Sequence, residues 1–216
     1  MPASDGYTRY REVVGDSFTQ WYGEQRDSWT GASTNDEVTA FVLNRAPKPQ
    51  GQRLQVLDVG CGRGHQSTQL AERLDADVIG LDLLDVWDAP PARCGSVRRH
   101  LGDFLAYPGP AVDLLVDNGC LHHQRREDWL PWVRHGRELL HPAGTWVISC
   151  FLSPTGEVMR RSLPDGRLNW WITEEALTGL LAQVGLSPTE WTEIDRDYVT
   201  RDGYRLSYLA VAFREA

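Results

Sequence analysis

The run Gln55-Val56-Leu57-Asp58-Val59 passes directly into Gly60-Cys61-Gly62-Arg63-Gly64, and the residues that follow, Gln66 to Leu74, place Leu70, Ala71 and Leu74 on one helical face. A short apolar strand entering a helix through closely spaced glycines opens a βαβ unit. With no Cβ in the turn, backbone amides at the helix N-terminus stay open to a ligand. The spacing narrows the choice of ligand. A dinucleotide turn reads G-x-G-x-x-G, whereas here the third glycine comes one residue early at Gly64 and His65 follows, which disfavours NAD and FAD. A phosphate-binding loop ending in Gly-Lys-Ser/Thr needs a lysine, and this turn has none, so ATP hydrolysis is disfavoured too.

The second strand, Val78-Ile79-Gly80-Leu81, ends on Asp82, 22 positions beyond Gly60. An acidic side chain there holds ribose hydroxyls in nucleotide-binding βαβ units, so turn and carboxylate together predict a nucleoside ligand. Val112-Asp113-Leu114-Leu115-Val116 and Thr145 to Phe151 are further strands, nearly continuous in hydrophobes, as in parallel strands covered on both faces. Between them Trp129, Leu130, Trp132, Val133, Leu139 and Leu140 recur at helical spacing until His141-Pro142-Ala143-Gly144. Alternation of this kind predicts a doubly wound α/β sheet with helices on both faces. After Phe151 the rhythm loosens; Thr173 then caps a helix with Leu177, Leu180, Leu181 and Val184 inward, closed by Gly185. Strands near 189–195 and 205–213 end the sheet in an antiparallel hairpin.

At the N-terminal side, Thr34-Asn35-Asp36-Glu37 has capping-box spacing before Val38, Phe41 and Val42, and Pro47 and Pro49 stop that helix. Tyr10, Phe18, Trp21, Tyr22 and Trp29 precede it, an aromatic load suited to a lid. The expected organisation is one domain, residues 1–50 forming a helical lid segment and 51–216 the binding and catalytic body. A net charge of −8 repels phosphate backbones and anionic lipid, so neither nucleic acid nor membrane is an expected partner. The start, Met1-Pro2-Ala3-Ser4, lacks the basic then apolar run of a signal peptide, and the cytoplasm is the expected compartment. Cys61, Cys94, Cys120 and Cys150 form no CxxC pair and are expected as reduced thiols.

From about Gln55 to Phe151, and more loosely to the C-terminus, the chain resembles the class I S-adenosylmethionine (SAM)-dependent methyltransferases. Leu57 to Gly64 matches the family's first motif, whose loop lies against the methionine and ribose part of the cofactor; the resemblance thereby implies Asp58, Gly60, Cys61, Gly62 and Gly64. Gly80-Leu81-Asp82 matches the second, implying that Asp82, with Leu83 beside it, holds the ribose hydroxyls. Gly102-Asp103-Phe104 matches the adenine segment, where Asp103 would accept from the exocyclic amine and Phe104 would offer its backbone amide. Asp113 to Asn118 matches the fourth strand and its end, adding Asp117 and Asn118 to the cofactor side, and Leu139 to Thr145 matches the turn into the fifth. The family fold is a seven-stranded sheet in order 3-2-1-4-5-7-6 with strand 7 antiparallel, which agrees with the terminal hairpin read from the chain itself. Asp117 to His123 further resembles the small bacterial branch akin to thiopurine, halide and thiol methyltransferases, whose N-terminal tryptophan closes over the cofactor; Trp21 and Trp29 sit in a comparable place, and Trp29 joins the cofactor residues.

Methyl transfer needs the acceptor held close to the methyl group, and a base only where the acceptor must lose a tightly held proton. His122 and His123 follow the fourth strand and are the candidate catalytic bases, with helix capping or cofactor lining as their alternative role. Cys120 with the two histidines lacks a fourth metal ligand, so no metal is expected. Cys61 lies at a helix N-terminus that would lower its thiol pKa, although a packing role is the preferred reading. Tyr7, Tyr10, Trp87, Tyr107, Phe151, Trp170, Trp171 and Tyr198 are candidates to line an acceptor pocket. Arg125-Arg126 and Arg98-Arg99-His100 are read as solvated faces. The expected activity is methyl transfer from SAM to a small-molecule acceptor. The rivals are a SAM-binding enzyme that cyclises, rearranges or decarboxylates without methylating, and a non-catalytic SAM-binding subunit.

Overall fold

The computed structural model describes residues 5–216 apart from 28, 31, 32, 50 and 201, and of residues 33 and 34 the backbone alone. The initial Met1-Pro2-Ala3-Ser4 and the Thr34 side chain of the expected capping box therefore lie outside the described residues. Two helices come first, α1 (Asp5–Gly23) and α2 (Ser33–Arg45). The alternating part follows as β1 (Gln55–Val59), α3 (His65–Leu74), β2 (Asp77–Asp82), β3 (Ser96–Leu101), β4 (Val112–Asn118), α4 (Trp129–Glu138) and β5 (Leu140–Leu152). After it come β6 (Met159–Ser162), β7 (Leu168–Ile172), α5 (Glu174–Ala182), β8 (Leu186–Val199) and β9 (Arg205–Glu215).

Strands β3, β2, β1, β4 and β5 pair in parallel in that order, and β9 lies antiparallel on β5 with β8 outside it. This seven-stranded path has the expected order. The sheet nevertheless has nine strands, because β6 and β7 form an extra hairpin that joins β5 at Phe151–Trp171 and Leu152–Ile172. Phe151 also pairs with Tyr208 of β9, so β7 must occupy the other side of β5, the side held by β4 as far as Asn118–Ser149. The hairpin thus continues the sheet beyond the end of β4, directly over the turn that carries His122 and His123.

Period-two alternation sends β1 side chains to two cores. Leu57 and Val59 pack with Leu115, Ile148 and the inner faces of α4 and α5; Val56 packs with Leu114, Val116 and Val147 against α2 and α3. Val38, Phe41 and Val42 of α2 are fully or nearly fully buried there, each worth about 1.5–3 kcal/mol of transfer free energy. That burial makes α2 part of the domain body, and α1 with the turn after it is what covers the sheet's carboxyl edge. Helix α4 stops at Glu138, earlier than the spacing through Leu140 implies. Leu139 caps it and Leu140 already pairs with Val112, so the sheet claims the residues that complete the apolar stripe.

Candidate functional site

At the carboxyl ends of β1, β2, β4 and β5 lies one cavity of 840 Å³, covered by α1. The glycine turn forms one wall. Gly60, Gly62 and Gly64 all have φ between 51° and 81°, where a Cβ is strained. A Cβ on Gly62 would also stand 2.5 Å from the Tyr22 hydroxyl of α1, so the turn and its cover close together only without a side chain there. Asp82 accepts hydrogen bonds from the amides of Gly62 (2.8 Å) and Leu84 (2.9 Å), locking the first turn to the second, and burial raises its pKa.

Gly60, Cys61, Gly62, Gly64, Asp82, Leu83, Asp103, Phe104, Asn118, Trp29, His122 and His123 all line this cavity. Asp58 and Asp117 do not; they brace its wall from behind. Asp58 accepts from Ser67 Oγ at 2.6 Å, and burial pushes its pKa up to about 7. Asp117 accepts from the amides of Cys120 and Leu121 and from Trp132 Nε1, and burial pushes its pKa up to about 6. The same burial, with Asp58 and Asp82 nearby, raises the Cys61 thiol pKa, opposite to the lowering expected from the helix N-terminus. All four cysteines are free thiols.

Helix α1 is tied down along its length. Tyr7 donates to Asp103 Oδ1 (2.5 Å) and Arg11 reaches Asp103 Oδ2 (3.4 Å). The Tyr10 hydroxyl donates to the His123 carbonyl (2.6 Å) and accepts from the Leu168 amide (2.8 Å), joining the cover to the extra hairpin. Ser17 and Trp21 donate to Asp165. Beyond α1, Arg63 of the glycine turn pairs with Asp27 at 2.6 Å. Trp29 packs against Phe18, Trp21 and Tyr22, completing an aromatic cover.

The expectation of a base on the histidines meets a specific obstacle. His123 Nδ1 lies 3.0 Å from the Leu168 carbonyl, which only accepts, so Nδ1 carries the proton; Nε2 faces Arg167 Nη1 at 3.2 Å, which only donates. Both nitrogens are engaged, and burial together with the Arg167 charge lowers the His123 pKa to about 3. His122 is 1% exposed, and burial, His123 and two arginines hold its pKa well below the usual imidazole value. Its ring lies 4.3 Å from Phe151, and its Nδ1 has no hydrogen-bond partner among the described residues.

Of the eight candidate pocket aromatics, Tyr7, Phe151 and Tyr198 line the cavity, whereas Tyr10, Trp87, Tyr107, Trp170 and Trp171 lie outside its lining. The missed lining includes Phe18, Tyr208, Arg167 and Arg196. Arg167 follows the β6–β7 turn Leu163-Pro164-Asp165-Gly166, in which Gly166 has φ 87° and the Leu163 amide donates to the Arg167 carbonyl. A Pro-Asp-Gly turn signal was therefore present to mark the hairpin. Arg99 pairs with Asp85 at the surface, as expected, whereas Arg125 is half-buried and makes two hydrogen bonds to the buried Asp128 carboxylate, so that cluster is not a solvated face throughout.

A family model described as a methyltransferase domain matches residues 32–190. Ubiquinone biosynthesis O-methyltransferase of Ruegeria pomeroyi is 31% identical over 182 residues, covering 68% of this chain and 72% of that protein. The enzyme of the same name from Cereibacter sphaeroides is 32% identical, covering 72% of this chain and 75% of that one. Among solved structures, 1,6-didemethyltoxoflavin-N1-methyltransferase of Burkholderia thailandensis, with 1,6-didemethyltoxoflavin and S-adenosylhomocysteine bound, superposes with a TM-score of 0.82 at 27% identity, covering 100% of this chain and 92% of that chain. The [4+2]-cyclase SpnF shares the fold, with a TM-score of 0.65 at 18% identity.

Proposed function

Because the chain belongs to the SAM-dependent methyltransferases, we propose that it transfers the methyl group of SAM to an aromatic small molecule held in the single cavity beneath α1. The observation that carries this reading is the division of that cavity. Its glycine-turn end has open backbone and buried or half-buried carboxylates, and its opposite end is aromatic. The toxoflavin-type relative holds 1,6-didemethyltoxoflavin, and the ubiquinone biosynthesis relatives are O-methyltransferases. An aromatic acceptor suits a chamber walled by Phe18, His122, Phe151 and Tyr208.

The chain's own groups at the turn end suit SAM. Gly60, Gly62 and Gly64 leave room that a Cβ would take, and Asp82 stands at the strand end with both oxygens already oriented by amides. In this reading Asp82 takes the ribose hydroxyls, Asp103 and Phe104 the adenine, and the turn with Cys61 and Asn118 the methionine part, while Leu83 and Trp29 close the sides. Asp58 and Asp117 act through the turn they brace. When bound, SAM supplies an electrophilic methyl group on a sulfonium, and nearby carboxylates favour that positive charge. The protein's work is alignment and exclusion of water. His123 holds Arg167 and His122 forms an aromatic wall; neither takes a proton. Helix α1 and the turn through Trp29 are the lid, fastened by Tyr7, Tyr10, Ser17 and Trp21, and α2 with the rest of the chain is the body. The setting is the cytoplasm.

The test is incubation with methyl-labelled SAM and a panel of phenols and N–H heterocycles. Label in the organic product with matching S-adenosylhomocysteine is the expected result. Conversion of an acceptor without S-adenosylhomocysteine formation would favour the non-methylating reading that the SpnF fold exemplifies.

A further inference from the structure

Two guanidinium groups line the cavity toward its aromatic end, and neither forms a side-chain ion pair among the described residues, although Asp165 stands near the first and Asp197 beside the second. Arg167 is 3% exposed. Its Nε donates to Ser17 Oγ (2.9 Å), its Nη1 to His123 Nε2 (3.2 Å), and its plane lies 4.2 Å from the Phe18 ring. Its Nη2 makes no hydrogen bond to any described residue; Asp165 accepts from the Arg167 backbone amide (3.1 Å) and from Ser17 Oγ, and forms no side-chain ion pair with the guanidinium. Arg196 comes from the opposite direction, at the register shift of β8 between Asp195 and Tyr198, and lies over Tyr208 (4.9 Å) and Phe151 (5.7 Å). It makes neither an ion pair nor a side-chain hydrogen bond among the described residues. Asp195 beside it is taken by Arg205, and Asp197 is exposed. The His122 ring lies between them, 4.2 Å from His123, which holds Arg167, and 4.3 Å from Phe151, over which Arg196 lies.

A structural role accounts for part of this. Arg167 pins α1 to the extra hairpin through Ser17 and Phe18. That role uses Nε and the guanidinium face and leaves Nη2 over; it does not involve Arg196, which meets the Tyr208 and Phe151 rings and makes no hydrogen bond or ion pair among the described residues. Burying a cation without an ion pair costs several kcal/mol. The chain carries a net charge of −8, so the general field offers anions nothing and the two arginines form a local exception.

Resting on the methyl-transfer reading for what lies at the other end of the cavity, we propose that the acceptor is bound as an aromatic anion, its ionised atom against Arg167 and Arg196 and its ring against Phe151 and Tyr208. Phenolates, ionised ring N–H groups and ring carboxylates share this chemistry. Arg167 and Arg196 are then the residues that select the acceptor.

The test uses calorimetry on the whole protein, first alone and then saturated with S-adenosylhomocysteine. The probes are 4-nitrophenolate, at a pH where it is fully ionised, and nitrobenzene, the same ring without the anionic oxygen. The phenolate is expected to bind at least about tenfold more tightly, the span of one hydrogen bond to a charged group. Arg196→Gln should erase most of that preference and Arg196→Lys should retain part of it. Arg167→Gln should act in the same direction, with its melting curve showing whether the fold survives; Arg196, half-exposed at the rim, keeps the question answerable if it does not. Equal affinity for the two probes, failure of both to bind, or an unchanged preference in Arg196→Gln would overturn the proposal. Failure of S-adenosylhomocysteine to bind would speak against the methyl-transfer reading instead, and the anion preference of the ligand-free protein would still decide this one.

Discussion

The two ends of the cavity differ in the charge left without an ion pair and in the kind of backbone that carries it. At one end Asp58, Asp82, Asp103 and Asp117 stand on or behind a glycine turn, held by amides and hydroxyls from the parallel core of the sheet. At the other, Arg167 and Arg196 come from antiparallel additions, the turn of the extra hairpin and the bulge of β8. The first end uses residues fixed by the βαβ frame, where a strand end can place a carboxylate and little else can vary. The second uses connections that the frame tolerates at any length. In the proposed reading cofactor chemistry sits on the rigid part and acceptor choice on the variable part, a division that suits one fold to many substrates.

The contrast can be broken most severely at Gly60. Its φ of 69° and the Cys120 sulfur 2.1 Å from the position of a Cβ mean that Gly60→Ala must both strain the backbone and displace the wall. Its cost is expected at about 3 kcal/mol or more, summing left-handed strain and overpacking. The checks are chemical denaturation and S-adenosylhomocysteine titration, and both should suffer.

The two ends should also respond oppositely to pH. Asp58 has a folded pKa of about 7, above its ordinary value of 3.8, so the folded state holds a proton that the unfolded chain releases. Stability from this group is full below pH 4 and is lost as pH rises towards 7. His123 is the reverse. Its folded pKa of about 3 lies below 6.5, so its stability is full above pH 6.5 and is lost as pH falls towards 3. Between about pH 4 and 6.5 the two therefore oppose each other: Asp58→Asn should remove a fall in stability between about pH 4 and 7, and His123→Gln a rise between about pH 3 and 6.5, each by up to a few kcal/mol. A change of the same sign in the slope between about pH 4 and 6.5 for the two variants would contradict this. His123→Gln, which keeps an acceptor for Arg167, is also expected to retain kcat within about tenfold, whereas loss of a general base costs about 100-fold or more.

The smallest expected effect belongs to the clasp between the ends. Tyr10→Phe removes a hydroxyl that serves the His123 carbonyl and the Leu168 amide, at about 1–2 kcal/mol. It should speed S-adenosylhomocysteine release in stopped-flow measurements more than it lowers the melting temperature.

The same division explains what was legible in the sequence. Strands β1, β2, β4 and β5, the glycine turn and Asp82 announce themselves because a strand buried on both faces is written as a run of hydrophobes and a positive φ is written as glycine. Strand β3, Ser96-Val97-Arg98-Arg99-His100-Leu101, is a polar edge and carries no such signature. The extra hairpin is too short and too exposed for period-two alternation to stand out, and its meeting with β5 depends on residues far apart in sequence. Arg167 and Arg196 look like any other of the chain's many arginines until the hairpin and the bulge of β8 bring them to one cavity. Asp58 misled in the other direction: the motif contains it, yet its side chain turns back to Ser67 and away from the cavity.

The most direct test is calorimetric titration of S-adenosylhomocysteine into the wild-type protein, Asp82→Ala and Arg196→Gln. The account predicts micromolar binding by wild type, a loss of about 1–3 kcal/mol in Asp82→Ala, the penalty for unpaired polar groups, and wild-type affinity in Arg196→Gln. Equal losses in the two variants, or no binding by wild type, would contradict the placement of the cofactor at the acidic end.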